Sequence, residues 1–293
     1  YLEPALKNKS RLKFLIDDIE RVKVYDNIIN LVRKKLNFKK KISEHRHHYC
    51  HLTSAYYPSG FNKALIISND GIGENESGMI GIGNKGKIDV VDSGPNYPNS
   101  LGLLYSALTF YLGWKHHCDE GIIMGLAPYG NPYAKHRGKK FIDYFKEIII
   151  DKDHGDYVIN TDWISYHIKR DVWISKKFIK TFGKKRKPGS QIKKIHKDLA
   201  AALQLRLEQV VLKRIKYFKK KYRVNNLAIA GGVGLNCSLN GKIEQSKIFK
   251  KIYVQPASGD SGTAIGAVYS AFEYKYKNRI KIKKRNKSYL GRE

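Results

Sequence analysis

The chain has 293 residues, and its 42% hydrophobic and 12% aromatic content is typical of a globular protein and excludes a disordered one. No apolar run approaches the roughly 18 residues that cross a bilayer, so no transmembrane helix and no membrane partner are predicted. The formal net charge of +30 accompanies 20 tyrosines and much isoleucine and asparagine, which favours an AT-rich coding sequence over an anionic partner such as a nucleic acid.

Cysteine usage and the first residues bear on where the protein works. Three widely spaced cysteines, Cys50, Cys118 and Cys237, form no CxxC pair and favour a reducing, cytoplasmic location. The first residue is Tyr1 rather than methionine, and no signal-peptide pattern follows it. We therefore expect the chain to be part of a longer protein.

The first third of the chain predicts helices around a possible short strand. Apolar residues at helical spacing predict a helix within residues 11–36, and residues 41–45 are compatible with a short strand. From His47 the sequence suits a second helix, which Pro, Ser and Gly at 58–60 would end. Four of the ten histidines lie between His45 and His51, at the start of this helix.

A three-stranded meander is predicted next. Residues 64–70 form a compact apolar run, and residues 77–83 and 87–94 alternate around a tight turn at 84–86. Asn-Lys-Gly in that turn is typical of a β-hairpin, because hairpin turns need residues that tolerate positive φ. The meander would be antiparallel.

The rest of the chain alternates helices with strands. Residues 100–114 predict an apolar helix capped by serine, residues 115–190 look like an irregular polar insertion, and residues 191–222 predict a long amphipathic helix. Residues 225–243 and 251–274 each read as strand, small-residue turn and helix. This order predicts an α/β protein with a mixed sheet.

The histidine cluster offers a metal-binding pattern. On a helix, His47 and His51 lie four residues apart and share one face, and His48 with His51 is the alternative pair. Either pair can supply two metal ligands, although a bare HxxxH pattern is more often a structural histidine cluster.

Acidic residues and glycines follow the predicted strands and favour a nucleotide–metal site. Asp70 ends a buried strand and precedes Gly71, Gly73 and Glu74, and Asp260 occupies a matching turn before a helix. Glycines at such junctions let backbone N–H groups approach a phosphate, and a helix N-terminus favours anions. Each junction alone is a weak signal.

The motifs HHYCHLTSAYYPSGF, SNDGIGE, DEGIIMGLAPYG, AGGVGLNCSLNGKI and VQPASGDSGTAIGA, in this order, resemble the NodU-type O-carbamoyltransferases. The catalytic lobe of that family belongs to the acetate kinase, sugar kinase, heat-shock and actin superfamily. The resemblance implies an actin/hexokinase-like (RNase H-like) two-lobe α/β fold with an incomplete first lobe. Residues 1–62 would complete that first lobe. Residues 63–280 would form the second lobe, with an insertion at 115–190, and 281–293 would link to an absent C-terminal domain.

The resemblance also implies site residues. A divalent metal, with iron favoured and manganese or zinc as alternatives, would be held by His47, His51, Asp70 and Asp260. A nucleotide would lie against the following residues: Gly71, Gly73, Gly231, Gly232, Asn236 and Gly259. The catalytic base, the acceptor and the oligomeric state have no signal in the sequence.

The expected function is transfer of a carbamoyl group to a hydroxyl of a small molecule, such as a sugar or a natural product. The donor would be carbamoyl-adenylate made from carbamoyl phosphate and ATP. One alternative is a tRNA threonylcarbamoyl-transfer protein of the same superfamily. Another is an impaired nucleotide- and metal-binding fragment, because the base-bearing opening segment is missing and Ile122 replaces a lysine of the family pattern.

Overall fold

The computed structural model describes residues 19, 23–24, 27–169, 171–276 and 280. Of the helical segment predicted over 11–36, a helix at Ile28–Leu36 lies in a continuous described stretch, and none of its side chains is buried. The expected linker 281–293 and much of 11–27 lie outside the described residues.

Nine strands and nine helices can be named within the described part of the chain. The strands are β1 (Lys63–Gly73), β2 (Glu76–Asn84), β3 (Lys87–Asp92), β4 (Lys135–His136), β5 (Lys139–Lys140), β6 (Ile149–Asp151), β7 (Tyr157–Ile159), β8 (Asn226–Ala230) and β9 (Lys251–Val254). The helices are α1 (Ile28–Leu36), α2 (His47–Ser59), α3 (Leu101–Tyr111), α4 (Glu120–Leu126), α5 (Phe141–Ile148), α6 (Lys176–Phe182), α7 (Lys194–Tyr222), α8 (Cys237–Gln245) and α9 (Thr263–Tyr276). None of the helices in the described residues combines the length and the apolar character that a bilayer crossing requires.

A five-stranded mixed sheet lies at the centre, in the order β3-β2-β1-β8-β9. The first three strands form the predicted antiparallel meander, and β8 and β9 add to β1 in parallel. An antiparallel meander extended by parallel strands is the strand arrangement of the RNase H-like fold, so the predicted fold class and mixed sheet are confirmed. The hairpin turn is the predicted one, with positive φ at Lys85 and Gly86.

The two faces of the sheet contact different helices because side chains alternate along each strand. In β1, Leu65 and Ile67 face the larger core, which contains residues of α3 and α7. Ala64 and Ile66 face the smaller core, which contains α2. Helix α9 packs against the outer side of α2. The predicted division at residue 62 stays a prediction, and in the described residues α2 packs directly on the sheet that follows it.

Helix α2 lies unusually close to its neighbours because small residues face it. A Cβ atom added at Gly83 of β2 would lie 2.2 Å from the ring of Tyr56, and one at Gly266 of α9 would lie 1.8 Å from the carbonyl oxygen of Cys50. At the same crossing the Thr53 hydroxyl donates to the Gly266 carbonyl at 2.9 Å. Eleven of the 13 residues of α2 are buried. The helix is therefore held in place on both sides.

Two local predictions are wrong. Residues 41–45 form no strand, since no partner ladder pairs with them among the described residues. The segment 115–190 is not merely irregular, because it folds into short helices and two two-stranded ribbons. Phe141, Phe145 and Ile148 of α5 are buried in the same core as α7. These elements are too short to show a hydrophobic period.

Candidate metal centre

Four side chains with metal-ligand chemistry converge at one end of the sheet. His47 and His51 lie one turn apart at the start of α2. Asp70 lies in β1, just beyond the residues that pair with β8. Asp260 opens the short 3-10 turn that leads into α9. The carboxyl ends of the parallel strands and the N-terminus of α2 therefore meet here.

The ligand atoms of these residues lie close enough to share one ion. The Nε2 atoms of His47 and His51 are 3.2 Å apart, and they lie 3.0 Å and 2.8 Å from Asp70 Oδ2. Asp260 Oδ1 is 3.5 Å from His47 Nε2 and 3.6 Å from His51 Nε2. All four ligand atoms lie within 4.8 Å of one another.

Backbone N–H groups orient the Asp70 carboxylate. Its Oδ1 accepts hydrogen bonds from the N–H groups of Gly71 at 2.8 Å and Gly232 at 3.0 Å. The other oxygen, Oδ2, is thereby turned toward the two histidines. The turn after β8 thus helps to orient the Asp70 side chain, which lies on β1.

The electrostatics of the cluster favour a cation. Burial acts to raise the pKa of Asp70, but the hydrogen bonds to His47 and His51 outweigh it and hold that pKa well below its ordinary value. The hydrogen bond to Asp70 raises the pKa of His47, although burial opposes it, and the charge of Asp260 adds to the effect. A positive charge is therefore stabilised between these groups.

The cluster is closed on one side and open on the other. The His51 side chain is fully buried and the Asp70 side chain is 13% exposed, whereas the Asp260 side chain is 76% exposed. Three ligands thus lie in the protein and the fourth lies at the mouth. Catalytic metal sites commonly have this form, because substrate must reach the ion.

The donor set fits a divalent transition metal. Around an ion with ligand bonds of about 2.1 Å, ligand atoms lie about 3.0 Å apart in octahedral and about 3.4 Å apart in tetrahedral geometry. The distances between the histidine and carboxylate atoms span this range. Two imidazoles with two carboxylates suit iron, manganese or zinc. The buried Nδ1 atom of His51 has no hydrogen-bond partner among the described residues, which leaves that nitrogen free to carry the proton when Nε2 is a ligand.

The other histidines of the cluster are not ligands. His48 is fully buried, and its two ring nitrogens contact Ser68 Oγ at 3.1 Å and the Glu76 carbonyl at 2.9 Å. His45 contacts Ser43 and Ser270 through its two nitrogens. The alternative pair of His48 with His51 is therefore wrong, because His48 faces the sheet rather than the cluster.

The glycines predicted to contact a nucleotide all lie around this cluster, but several have packing roles. A Cβ at Gly73 would lie 2.4 Å from the His47 ring, and one at Gly232 would lie 2.8 Å from Asp70 Oδ1. Gly231 has a φ of 86° and approaches the Asn69 carbonyl. At Gly71 and Gly259 a Cβ would make only ordinary contacts of 3.7 Å. These last two positions are partly exposed, so close packing does not account for their glycines.

Asn236, the sixth of these predicted residues, uses its side chain inside the protein. Its Oδ1 accepts from the backbone N–H of Leu239 at 2.9 Å, which caps α8. Its amide also exchanges two hydrogen bonds with Gln204 of α7, at 2.8 Å and 3.0 Å. The Asn236 side chain is therefore occupied by contacts within the protein. Its role is to hold the end of the glycine turn in place rather than to touch a nucleotide. Nothing in the sequence indicated the role of Gln204.

Glu74 is a further residue of this site. Its carboxylate accepts a hydrogen bond from the backbone N–H of His47 at 3.0 Å, and its φ is 45°. An acidic side chain at the N-terminus of α2 stabilises both that free N–H group and the helix dipole. The glycine-rich sequence around Glu74 indicated a turn but not this contact.

Comparison with known protein families identifies the family of this chain. The family described as "Carbamoyltransferase N-terminus" matches residues 6–269. The chain belongs to this carbamoyltransferase family. The predicted resemblance is thereby confirmed, and the family's matched region includes the four candidate ligand residues.

Relatives of this carbamoyltransferase chain are longer proteins. Nodulation protein NolNO of Sinorhizobium fredii is 38% identical over 227 residues, which cover 78% of this chain and 31% of that protein. The uncharacterised protein sll1178 of Synechocystis is 36% identical over 250 residues, which cover 84% of this chain and 39% of that protein. The chain thus spans about a third to two fifths of the length of these curated relatives.

A more distant similarity covers a short stretch. A tRNA N6-adenosine threonylcarbamoyltransferase of Ureaplasma parvum is 37% identical over 73 residues, which cover 25% of this chain and 23% of that protein. The similarity to the carbamoyltransferase relatives therefore extends over about three times as much of the chain.

The position where this chain departs from the predicted family pattern is at the surface. Ile122 of α4 is 45% exposed, in the place where the pattern has a lysine. Nearby, Glu120 accepts hydrogen bonds from Ser106 Oγ at 2.5 Å and from the His117 backbone N–H at 2.7 Å. The acidic residue of this motif therefore has a structural role that does not depend on the lysine.

Proposed function

We propose that this chain carries the metal- and nucleotide-binding part of an enzyme that transfers a carbamoyl group from carbamoyl-adenylate to a hydroxyl of a small molecule, such as a sugar or a natural product. The observation that carries the proposal is the convergence of His47, His51, Asp70 and Asp260 in a member of the carbamoyltransferase family. Carbamoyl-adenylate would come from carbamoyl phosphate and ATP.

A divalent metal in this centre, with iron favoured and manganese or zinc as alternatives, would supply Lewis-acid polarisation of the donor. In the transfer, the acceptor oxygen bonds to the carbamoyl carbon and the bond from that carbon to the adenylate phosphate breaks. AMP leaves, and the hydroxyl proton passes to a base. The base is unassigned, since both ring nitrogens of His45 and of His48 are hydrogen-bonded elsewhere.

The nucleotide is proposed to lie beside Asp70, between the turns at 70–74, 231–236 and 259–262. Support comes from Gly71 and Gly259, which are partly exposed and where an added Cβ would make no contact closer than 3.7 Å. The 3-10 turn at Asp260–Gly262 leads into α9, and the N-terminus of a helix favours anions. The backbone N–H of Gly232 donates a hydrogen bond to Asp70. The turn proposed to contact the nucleotide therefore also positions one of the proposed metal ligands.

We also propose a cytoplasmic location. The three cysteines are free, with Cys50 buried and Cys118 and Cys237 exposed, as a reducing compartment allows.

The test supplies the donor directly. The purified protein is loaded with Fe²⁺ and mixed with carbamoyl-adenylate and a panel of sugars and other hydroxylated acceptors, and AMP and carbamate products are measured by mass spectrometry. We expect acceptor-dependent AMP release that His51→Ala abolishes and that His154→Asn, a change at an exposed histidine outside the cluster, leaves intact.

The alternatives separate in the same assay. Transfer from threonylcarbamoyl-adenylate to tRNA, with none to small acceptors, would support the second candidate, which the 73-residue similarity to the Ureaplasma protein favours. Metal and ATP binding without any transfer would support the fragment hypothesis. A protein that binds no metal would contradict the main proposal.

A further inference from the structure

The end of the sheet opposite the metal centre is strongly basic. The parallel strands run toward the metal centre, so their first residues lie at the far end, about 16 Å away for a five-residue strand. We call this end the basic edge. It consists of the cations in the last turns of α7, at the starts of β1 and β9, and in the turn between β2 and β3.

The C-terminal end of helix α7 contributes four cations, the α7 stripe, to the basic edge. Lys216 lies three and four residues before Lys219 and Lys220 on the helix, and Arg223 is the C-cap residue that ends it, with a φ of 50°. With Lys247 from the turn after α8, they line a shallow, open depression of about 540 Å³, whose lining also includes Val224 and Ile248. Cations from two separate segments therefore lie around one depression, which we call the cleft.

The same edge continues across the sheet. Lys250 and Lys251 lie at the start of β9, which pairs with the start of β8. Lys63 begins β1 and lies opposite Asn84, next to the hairpin residue Lys85. With a spacing of about 4.8 Å between strands, the row from Lys85 to Lys251 extends over roughly 15–20 Å. The row is long enough for several phosphates of an extended polyanion.

These cations lack acidic partners within the described part of the chain. No described carboxylate forms an ion pair with the four cations of the α7 stripe, with Lys247, or with Lys63 and Lys85. By contrast, Lys87 pairs with Asp89 at 2.9 Å, and Lys213 pairs with Asp151 at 3.5 Å. The positive charge of the basic edge is therefore largely uncompensated.

Two simpler explanations cover only part of this pattern. Lysines in the last turn of α7 stabilise the helix dipole, which accounts for Lys219 and Lys220. A lysine-rich composition accounts for many exposed lysines on any face. Neither explains why cations from three further segments, at Lys63, Lys85 and Lys247, gather at the same edge of the sheet, with Lys247 lining the cleft.

We propose that the basic edge binds the sugar–phosphate backbone of a single-stranded nucleic acid, without reading its sequence. Unpaired lysines in a row attract phosphates and release the counterions of the polyanion on binding. A compact phosphorylated ligand would need only the cleft, whereas the row of cations extends well beyond it. This surface is separate from the metal centre, so the proposal does not depend on the carbamoyl-transfer function.

The test measures binding of a fluorescent single-stranded RNA of about 20 nucleotides, and of a DNA of the same length, by anisotropy over a range of salt concentrations. Lys216→Gln with Lys220→Gln removes two exposed cations of the stripe. The matched control is Lys176→Gln with Lys180→Gln on α6, which has the same spacing, the same charge change and the same exposure.

We expect the stripe variant to weaken RNA binding at least tenfold and to lower the slope of log K against log salt by about 1.4, since each phosphate contact contributes about 0.7 for single strands. The control should bind like the parent. Lys63→Gln with Lys85→Gln should also weaken binding, which tests the part of the edge outside α7. Circular dichroism confirms that each variant is folded.

Three outcomes would overturn the proposal. One is no RNA or DNA binding at about 0.1 M salt. A second is an equal loss in the α6 control, which would mean that only the net charge matters. The third is stripe-dependent binding to vesicles of anionic phospholipid, with none to either nucleic acid. Equal binding of RNA and DNA supports backbone recognition, and a preference for RNA supports added contacts to the 2′-hydroxyls.

Discussion

His51 and Asp260 are the most and the least enclosed of the four ligand residues, with side chains 0% and 76% exposed. We predict that His51→Ala abolishes metal retention, because it removes a ligand that no water can replace without entering the core. Asp260→Ala should keep a three-ligand site and lose about 10- to 100-fold in affinity, with water taking the fourth position. Elemental analysis and competition with a fluorescent chelator measure both.

The control for this series is His45→Ala, which removes a neighbouring histidine that contacts Ser43 and Ser270 instead of the centre. It should bind metal like the parent. Full metal content in His51→Ala would show that the ligand set is wrong.

Gly259 allows the nucleotide position to be tested without disturbing the metal. We predict that Gly259→Val lowers ATP affinity at least tenfold and leaves metal content unchanged, because the added side chain would occupy the proposed nucleotide position while its Cβ makes only an ordinary contact of 3.7 Å with Leu235. Gly232→Val tests the position less cleanly, since a Cβ at Gly232 would lie 2.8 Å from Asp70 Oδ1 and displace a ligand. Calorimetric titration with ATP, together with elemental analysis, distinguishes the two variants. Unchanged ATP affinity in Gly259→Val would place the nucleotide elsewhere.

Glu208 of α7 is a buried acid in the polar network around Gln204. Burial raises the pKa of its carboxyl, and the hydrogen bond from Gln204 only partly opposes this. The folded state therefore binds this proton more tightly than the unfolded state does, and its contribution to stability falls as pH rises from about 4.5 through the folded pKa. We predict that Glu208→Gln raises Tm at pH 7 and that the gain disappears below about pH 4.

Thermal denaturation of parent and variant across this pH range checks the prediction. Glutamine keeps an oxygen that accepts from Gln204, so the network is preserved. A Tm difference that does not change with pH would show that the charge of Glu208 is not the cause.

At the scale of elements, the crossing of α2 and α9 fixes the distance between the histidines and Asp260. We predict that Gly266→Ala destabilises the protein by about 1–3 kcal/mol or more, because the new methyl group would overlap the Cys50 carbonyl oxygen. The displaced α9 should also move Asp260 and weaken metal binding.

Gly241→Ala is the matched control for that variant. Gly241 lies within α8, and a Cβ there meets nothing within 4 Å. Alanine should stabilise the helix by about 0.5–1 kcal/mol and leave metal binding unchanged. Urea denaturation measures the stability of the two variants. A Gly266→Ala variant as stable as the parent would show that the helix crossing tolerates a larger separation.

Long elements could be predicted from the sequence because their patterns are local. The 29 residues of α7 repeat a helical period many times, and the β2–β3 hairpin has a characteristic turn. The helices of 115–190 have only seven or eight residues, so they show too few repeats for a period to be recognised.

The candidate site was predictable only in part. The spacing of His47 and His51 is a local pattern. The convergence of Asp70 and Asp260 on them depends on strand order, so only the family resemblance predicted it. Gly73 and Gly232 leave room for the side chains of His47 and Asp70, and these contacts join segments that are distant in the sequence. No local pattern encodes such contacts.

At the scale of the molecule, the ligands join segments that lie more than 200 residues apart in the chain, from His47 to Asp260. We predict that metal stabilises the whole fold, because the unfolded chain does not bring these ligands together. Free metal at 100 times its Kd stabilises by about 2.7 kcal/mol, and removal by a chelator should lower Tm by roughly 4–5 °C for a chain of 293 residues. Differential scanning calorimetry measures the shift, and His51→Ala should show none.

The tight seating of α2 has a consequence for which ions the centre accepts. Because Gly83 and Gly266 carry no side chain, the helix lies close enough to the sheet and to α9 for its two imidazoles to approach both carboxylates. Calcium prefers oxygen ligands alone, whereas imidazole suits transition-metal ions. The close packing at two glycines thus favours a transition metal over calcium, because it places nitrogen donors beside the two carboxylates.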